Sequence, residues 1–140
     1  MYKRQILFRR LASQVPGVAA VDPLAPVRAA LYDETALDAG LAARWQAWLA
    51  AWQARVLRQG EPADVAIGRM DAANPLYLPR NWLAQQAIDA AEQGDVAPLH
   101  ALLRTLRRPY DAQPDRAAFA ARRPEWARRR PGCSALSCSS

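Results

Sequence analysis

Two cysteines, Cys133 and Cys138, are the residues whose type and setting most suggest chemistry. Both fall in the last eight residues, just after the arginine run at 128–130. A thiolate near guanidinium groups forms more easily than an isolated one, and a terminal thiol can reach other parts of a protein to make a reversible disulfide. The residues alone leave two readings open, a redox-active thiol or an inert tail cysteine. Both readings place the thiols on an exposed, mobile segment rich in small polar residues. Two thiols are too few for a structural zinc site, and their position is not that of a disulfide framework, so a reducing, cytoplasmic compartment is expected.

No other grouping stands out as catalytic. His100 is the one histidine and lies off the neighbouring leucine stripe, so it is expected to be solvated. There is no glycine-rich phosphate loop, no paired histidine and no Ser/His/Asp set, and the acids are spread along helix faces. No catalytic, cofactor-binding or metal-ligating residue is assigned within the chain. The arginines from Arg104 through Arg107, Arg108, Arg116, Arg122 and Arg123 to Arg130 outnumber the nearby acids. Arginine suits phosphate, which raises nucleic acid as a rival partner. The preferred reading is a solvated basic surface, or arginines paired with acids elsewhere in a larger protein. Arg107 and Arg108 also sit at a helix C-terminus, where positive charge is favourable.

The elements that would hold these residues are helical. The chain has 140 residues, a net charge of +6 and few strand-forming segments. It is one domain long, and its alanine, leucine, arginine and glutamine content favours an all-α fold. No apolar run reaches the roughly 18–20 residues of a membrane helix, and no signal peptide is evident. The segment 6–13 reads as a short helix. Residues 14–27 are broken by Pro16, Gly17, Pro23 and Pro26 and read as a loop lying over a surface through Val18, Val21 and Leu24. A helical turn is expected at 27–32.

The strongest pattern runs from Thr35 or Asp38 to Gln59, where Leu37, Leu41, Trp45, Trp48, Leu49, Trp52, Val56 and Leu57 recur at helical spacing. Gly60 is the expected stop. At that spacing the three tryptophans read as core packing rather than a ligand cage or base-stacking platform. A further helix begins near Pro62 and ends by Asn74-Pro75, and residues 76–79 form an extended joint. Asn81 is a candidate cap of the next helix, with Arg80 as an alternative start, and Trp82, Leu83, Ala87, Ile88 and Ala91 face inward with Gly94 closing it. Asp95 caps the following helix, whose stripe is Leu99, Leu102, Leu103 and Leu106. The short Gly-Asp joint predicts a helical hairpin near 80–107. Pro109 ends it, and residues 116–121 and 125–130 each allow a turn or two of helix.

The stretch 74–114 carries a family resemblance. NPLYLPRNWLAQQAIDAAEQGD, then LLRTLRRPYDAQP, then a tryptophan-containing turn and a terminal CSS together resemble the C-terminal part of the selenoprotein O family. NP, RNxLAQ, EQGD, RPYD and QP in this order are specific, whereas any one alone is weak. The likeness extends more weakly back to Ile6 and on to Ser140. It implies a pseudokinase-fold protein adenylyltransferase that binds ATP and magnesium or manganese and transfers AMP to Ser, Thr or Tyr hydroxyls of proteins. The family's nucleotide- and metal-binding residues lie upstream of the matched part, so none is carried over. The resemblance makes Cys138, third from the end, a redox-active position, where animal members have selenocysteine and many bacterial members cysteine. Cys133 is additional to the family pattern, so a local Cys133–Cys138 disulfide is an alternative.

These readings combine into an all-α C-terminal segment of a protein-kinase-like fold that packs on the upstream kinase-like lobe. Residues 1–5, MYKRQ, match the translation of a transposon-based sequencing adapter and are read as a scar. Residues 6–121 form the helical region, and 122–140 a basic, cysteine-containing mobile tail. The segment alone is expected to be inactive and to bind neither nucleotide nor metal. The rival readings are a basic helical module that binds nucleic acid and a small thiol-redox regulatory protein.

Overall fold

A computed structural model describes residues 2–18 and 22–133. Among these, every regular element is an α-helix or a short 3₁₀ turn, and there is no strand. No helix in this part is long and apolar enough to cross a membrane. The chain forms two compact units, Met1–Leu76 and Tyr77–Ser140.

The first unit contains α1 (Tyr2–Leu11), α2 (Ala25–Ala30), α3 (Ala39–Gln59) and α4 (Ala63–Ala73). α3 has the limits its sequence predicts. The Asp38 carboxylate accepts the Leu41 N–H at 2.7 Å, and Gly60 takes the left-handed conformation at φ 68°. α1 begins at Tyr2, four residues before the expected start, and continues through a 3₁₀ turn at Ala12–Gln14. α2 also begins earlier than expected, at Ala25. Pro26 falls in its first turn, where the missing N–H has no helical partner to lose.

Leu11, Leu24, Val27 and Leu49 form the core of this unit, with Leu7, Leu37, Trp45, Trp52 and Met70 packed around them. The loop before α2 lies over this core through Leu24, as anticipated, but Val18 is exposed; Val21 is outside the described residues. Polar ties complete the unit. The Arg9 guanidinium donates to the Asp71 and Asn74 carbonyls at 2.8 and 3.0 Å and meets the Asp71 carboxylate at 3.2 Å. These bonds satisfy carbonyls at the end of α4 that no helical N–H reaches. The Gln5 amide donates to the Pro75 carbonyl at 2.7 Å.

The second unit is built on α5 (Asn81–Glu92) and α6 (Ala97–Leu106), followed by the short α7 (Ala117–Ala120) and a 3₁₀ turn at Glu125–Arg128. α5 and α6 pack together as the expected hairpin. Gly94 makes the joint at φ 86°, and the Asp95 carboxylate accepts the Ala97 N–H at 2.9 Å. The cap of α5 differs from expectation. Arg80 holds the extended N-cap position with no side-chain cap bond, and Asn81 is already helical, so the helix begins one residue earlier than an Asn81 cap would give. Trp82, Leu83, Leu102, Ala127 and Cys133 form the core, with Leu106 and Phe119 against it. Ile88, Leu99 and Leu103, read as core residues, are exposed. A helical stripe can be wider than the surface that covers it, and only its centre line is buried here.

Candidate functional site

Cys133 is not on an exposed tail. It is 1% exposed, at the centre of the second core beside Trp82, Leu83 and Leu102. Two contacts hold its segment on α5, and a third ties the segment to itself. Arg130 pairs with the Asp89 carboxylate at 2.6 Å, its guanidinium lies 5.8 Å from the centre of the Trp126 ring, and Trp126 meets Trp82 edge-to-face at 6.5 Å. Ala127 is fully buried beneath them. The described part of the basic tail is therefore folded, and Arg130 and Arg128 are ion-paired, Arg128 with Glu125 at 3.1 Å. The Cys133 thiol is free. Cys138 lies outside the described residues.

Burial gives a direct expectation for reactivity. Iodoacetamide should modify Cys133 about 100-fold more slowly in the native protein than in the urea-unfolded chain, as an opening cost of about 3 kcal/mol implies. Peptide mass mapping over a time course measures this. Equal native and unfolded rates would mean that residues 125–133 do not dock.

The tryptophans of α3 divide by role. Trp45 and Trp52 pack on the core, but Trp48 is 43% exposed and touches its two neighbours, with ring centres 5.6 Å from Trp45 and 6.5 Å from Trp52. α1 and α3 thus leave an open apolar groove of about 420 Å³ lined by Leu7, Phe8, Leu41, Arg44, Trp45 and Trp48. The packing expectation holds for two of the three rings. The third presents a large apolar face to solvent, a feature common at docking surfaces.

The residues that organise the second unit were missed by sequence reading. The 76–79 joint, read as a simple connector, contains Tyr77, which is 2% exposed. Its hydroxyl donates to the Gln113 carbonyl and accepts the Gln113 N–H, both at 3.1 Å, and its own N–H donates to the Pro109 carbonyl at 3.0 Å. The Gln113 side-chain amide donates to the Thr105 and Arg108 carbonyls at 3.1 and 2.9 Å, closing the end of α6. Arg80 is buried as well and donates to the Ala121 carbonyl. The tyrosine of NPLY and the glutamine of the QP pair are thus one hydrogen-bonded latch. Their order in the sequence was visible, but the bond between them spans |i−j| = 36 and no local pattern announces it.

His100 is exposed, as expected. Among the described residues no three His, Cys, Asp or Glu side chains gather where they could hold a metal ion.

The sequence of this helical segment is similar to proteins named protein nucleotidyltransferases. No protein-family model matches the chain. It is 53% identical over 128 residues to protein nucleotidyltransferase YdiU of Xanthomonas campestris pv. campestris (strain B100), a match covering 89% of this chain and 24% of that protein. The YdiU proteins of Azoarcus sp. (strain BH72) and Aromatoleum aromaticum are 53% and 50% identical over 127 and 136 residues, covering 89% and 96% of this chain and 24% and 25% of theirs. The chain belongs to this family, the selenoprotein O family. It spans about a quarter of the length of the relatives it matches.

Proposed function

We propose that the chain is the C-terminal part of a protein adenylyltransferase, a pseudokinase-fold enzyme that transfers AMP from ATP to protein hydroxyls with magnesium or manganese. The observation that carries this reading is strong identity, 53%, confined to about a quarter of proteins named nucleotidyltransferases. In this reading the catalytic residues lie upstream, and the helices brace the kinase-like body that contains them. One feature supports the brace role: the α1/α3 groove with Trp48 offers an apolar face of the kind that packs against another part of a larger protein. Cys138 is the redox position that the resemblance implies. The burial of Cys133 favours Cys138 over Cys133 for that role.

The test compares two proteins. The 140-residue chain, incubated with labelled ATP, magnesium and a generic protein acceptor, should transfer no label. The same segment joined to the upstream sequence, recovered from the flanking genomic DNA, should transfer it. Robust transfer by the chain alone would overturn the reading, as would an upstream region lacking a nucleotide site.

A further inference from the structure

A second cleft lies in the Tyr77–Ser140 unit, away from its apolar core. It has a volume of about 350 Å³ and is lined by Arg104, Arg108 and Arg116, with Gln113 and Asp115 in its wall. We propose that it is a binding site for a small oligophosphate, an anion carrying two or three linked phosphoryl groups.

Charge is the first support. Three guanidiniums line the cleft against one carboxylate. None of the three is ion-paired among the described residues, in contrast to Arg9, Arg28, Arg69, Arg128 and Arg130. Arg104 and Arg108 stand one helical turn apart, a like-charge spacing that is unfavourable by a few tenths of a kcal/mol. Their place at the end of α6 accounts for both through the helix dipole. It does not account for Arg116, which comes from the separate 3₁₀ turn Pro114–Arg116 and faces the same space.

The wall is the second support. A helix C-terminus normally repels anions, because its last carbonyls are unsatisfied. Here the Gln113 amide occupies the Thr105 and Arg108 carbonyls, so two of the groups that would repel a phosphate are already bonded. Gln113 is itself fixed through its backbone to the Tyr77 hydroxyl. The cleft is therefore preorganised on one side, with flexible bidentate donors on the other. That combination suits phosphate oxygens, since each guanidinium offers a planar pair of donors.

Size fits a small anion. The volume is at the low end of the roughly 300–1,000 Å³ typical of small-molecule sites. A nucleic-acid strand would instead need an extended basic track along the backbone.

Inorganic pyrophosphate is the probe, titrated into the whole chain by calorimetry at low salt. Saturable one-to-one binding is expected. Arg104→Gln and Arg116→Gln should each weaken it about tenfold, the loss of one charge-assisted contact. Arg58→Gln removes the same charge from an exposed position on α3 in the other unit and should leave the affinity unchanged. Circular dichroism confirms that each variant keeps its helix content. No saturable binding up to about 10 mM pyrophosphate would overturn the proposal, as would an equal loss in Arg58→Gln. An oligonucleotide that binds more tightly than pyrophosphate would assign the surface to nucleic acid and overturn it too.

Discussion

Replacing Tyr77 with alanine is expected to unfold the Tyr77–Ser140 unit while leaving the α3 core intact. Removing a buried aromatic ring costs about 3–5 kcal/mol. The loss here is larger, because the Gln113 N–H and carbonyl also lose the hydroxyl that bonds both of them, and each buried polar group left unsatisfied costs about 1–3 kcal/mol. A unit this small has few kcal/mol in reserve. Amide hydrogen exchange reads the result by element. Protection over Asn81–Glu92 and Ala97–Leu106 should collapse, and protection over Ala39–Gln59 should persist. Tyr77→Phe separates ring from hydroxyl and should cost about 1–3 kcal/mol, with the fold retained. An alanine variant with protection close to the parent's would show that Tyr77 does not hold the unit together.

The second large effect concerns two leucines of one helix that look alike in sequence. Leu49 is 3% exposed and packs with Leu11, Leu24 and Val27, whereas Leu57 is 65% exposed. Leu49→Ala should destabilise the first unit by about 2–5 kcal/mol, the transfer term plus the cavity left behind. Leu57→Ala should fall within about 0.5 kcal/mol of the parent. Urea denaturation followed by tryptophan fluorescence compares them directly, since the tryptophans of α3 surround Leu49 in sequence. Comparable midpoints for the two variants would mean that α3 buries a different face.

This pair shows how much of the fold could be read in advance. The limits of α3 were legible because they are local: an aspartate that caps, a glycine that can adopt positive φ, and apolar residues at helical spacing between them. The α5/α6 hairpin was legible for the same reason. The depth of each stripe was not. Periodicity marks a face as apolar, but whether Leu49 or Leu57, Leu102 or Leu103 meets a partner depends on where distant segments fall. The cap of α5 was misplaced by one residue because Arg80, the residue that holds it, makes no side-chain cap bond and so leaves no capping signal in the sequence.

The candidate sites divide in the same way. Cys133 was legible as a thiol near arginines, yet its environment was reversed. A small, polar segment reads as mobile in sequence, and the contacts of Arg130 with Asp89 and of Trp126 with Trp82 hold it on the core. The arginine cleft was visible only as a surplus of positive charge, since Arg116 reaches the side of Arg104 and Arg108 through the turn that Gln113 anchors.

By itself, the sequence determined the helical class, the positions of most helices and, through the ordered motifs between Asn74 and Pro114, the family. All of these rest on interactions within a few residues or on the order of residues along the chain. Tertiary structure alone decided which apolar faces are covered, that Cys133 is buried, and that Tyr77 and Gln113 form one latch. Those outcomes depend on contacts between segments far apart in sequence, whose formation is cooperative and leaves no local signature.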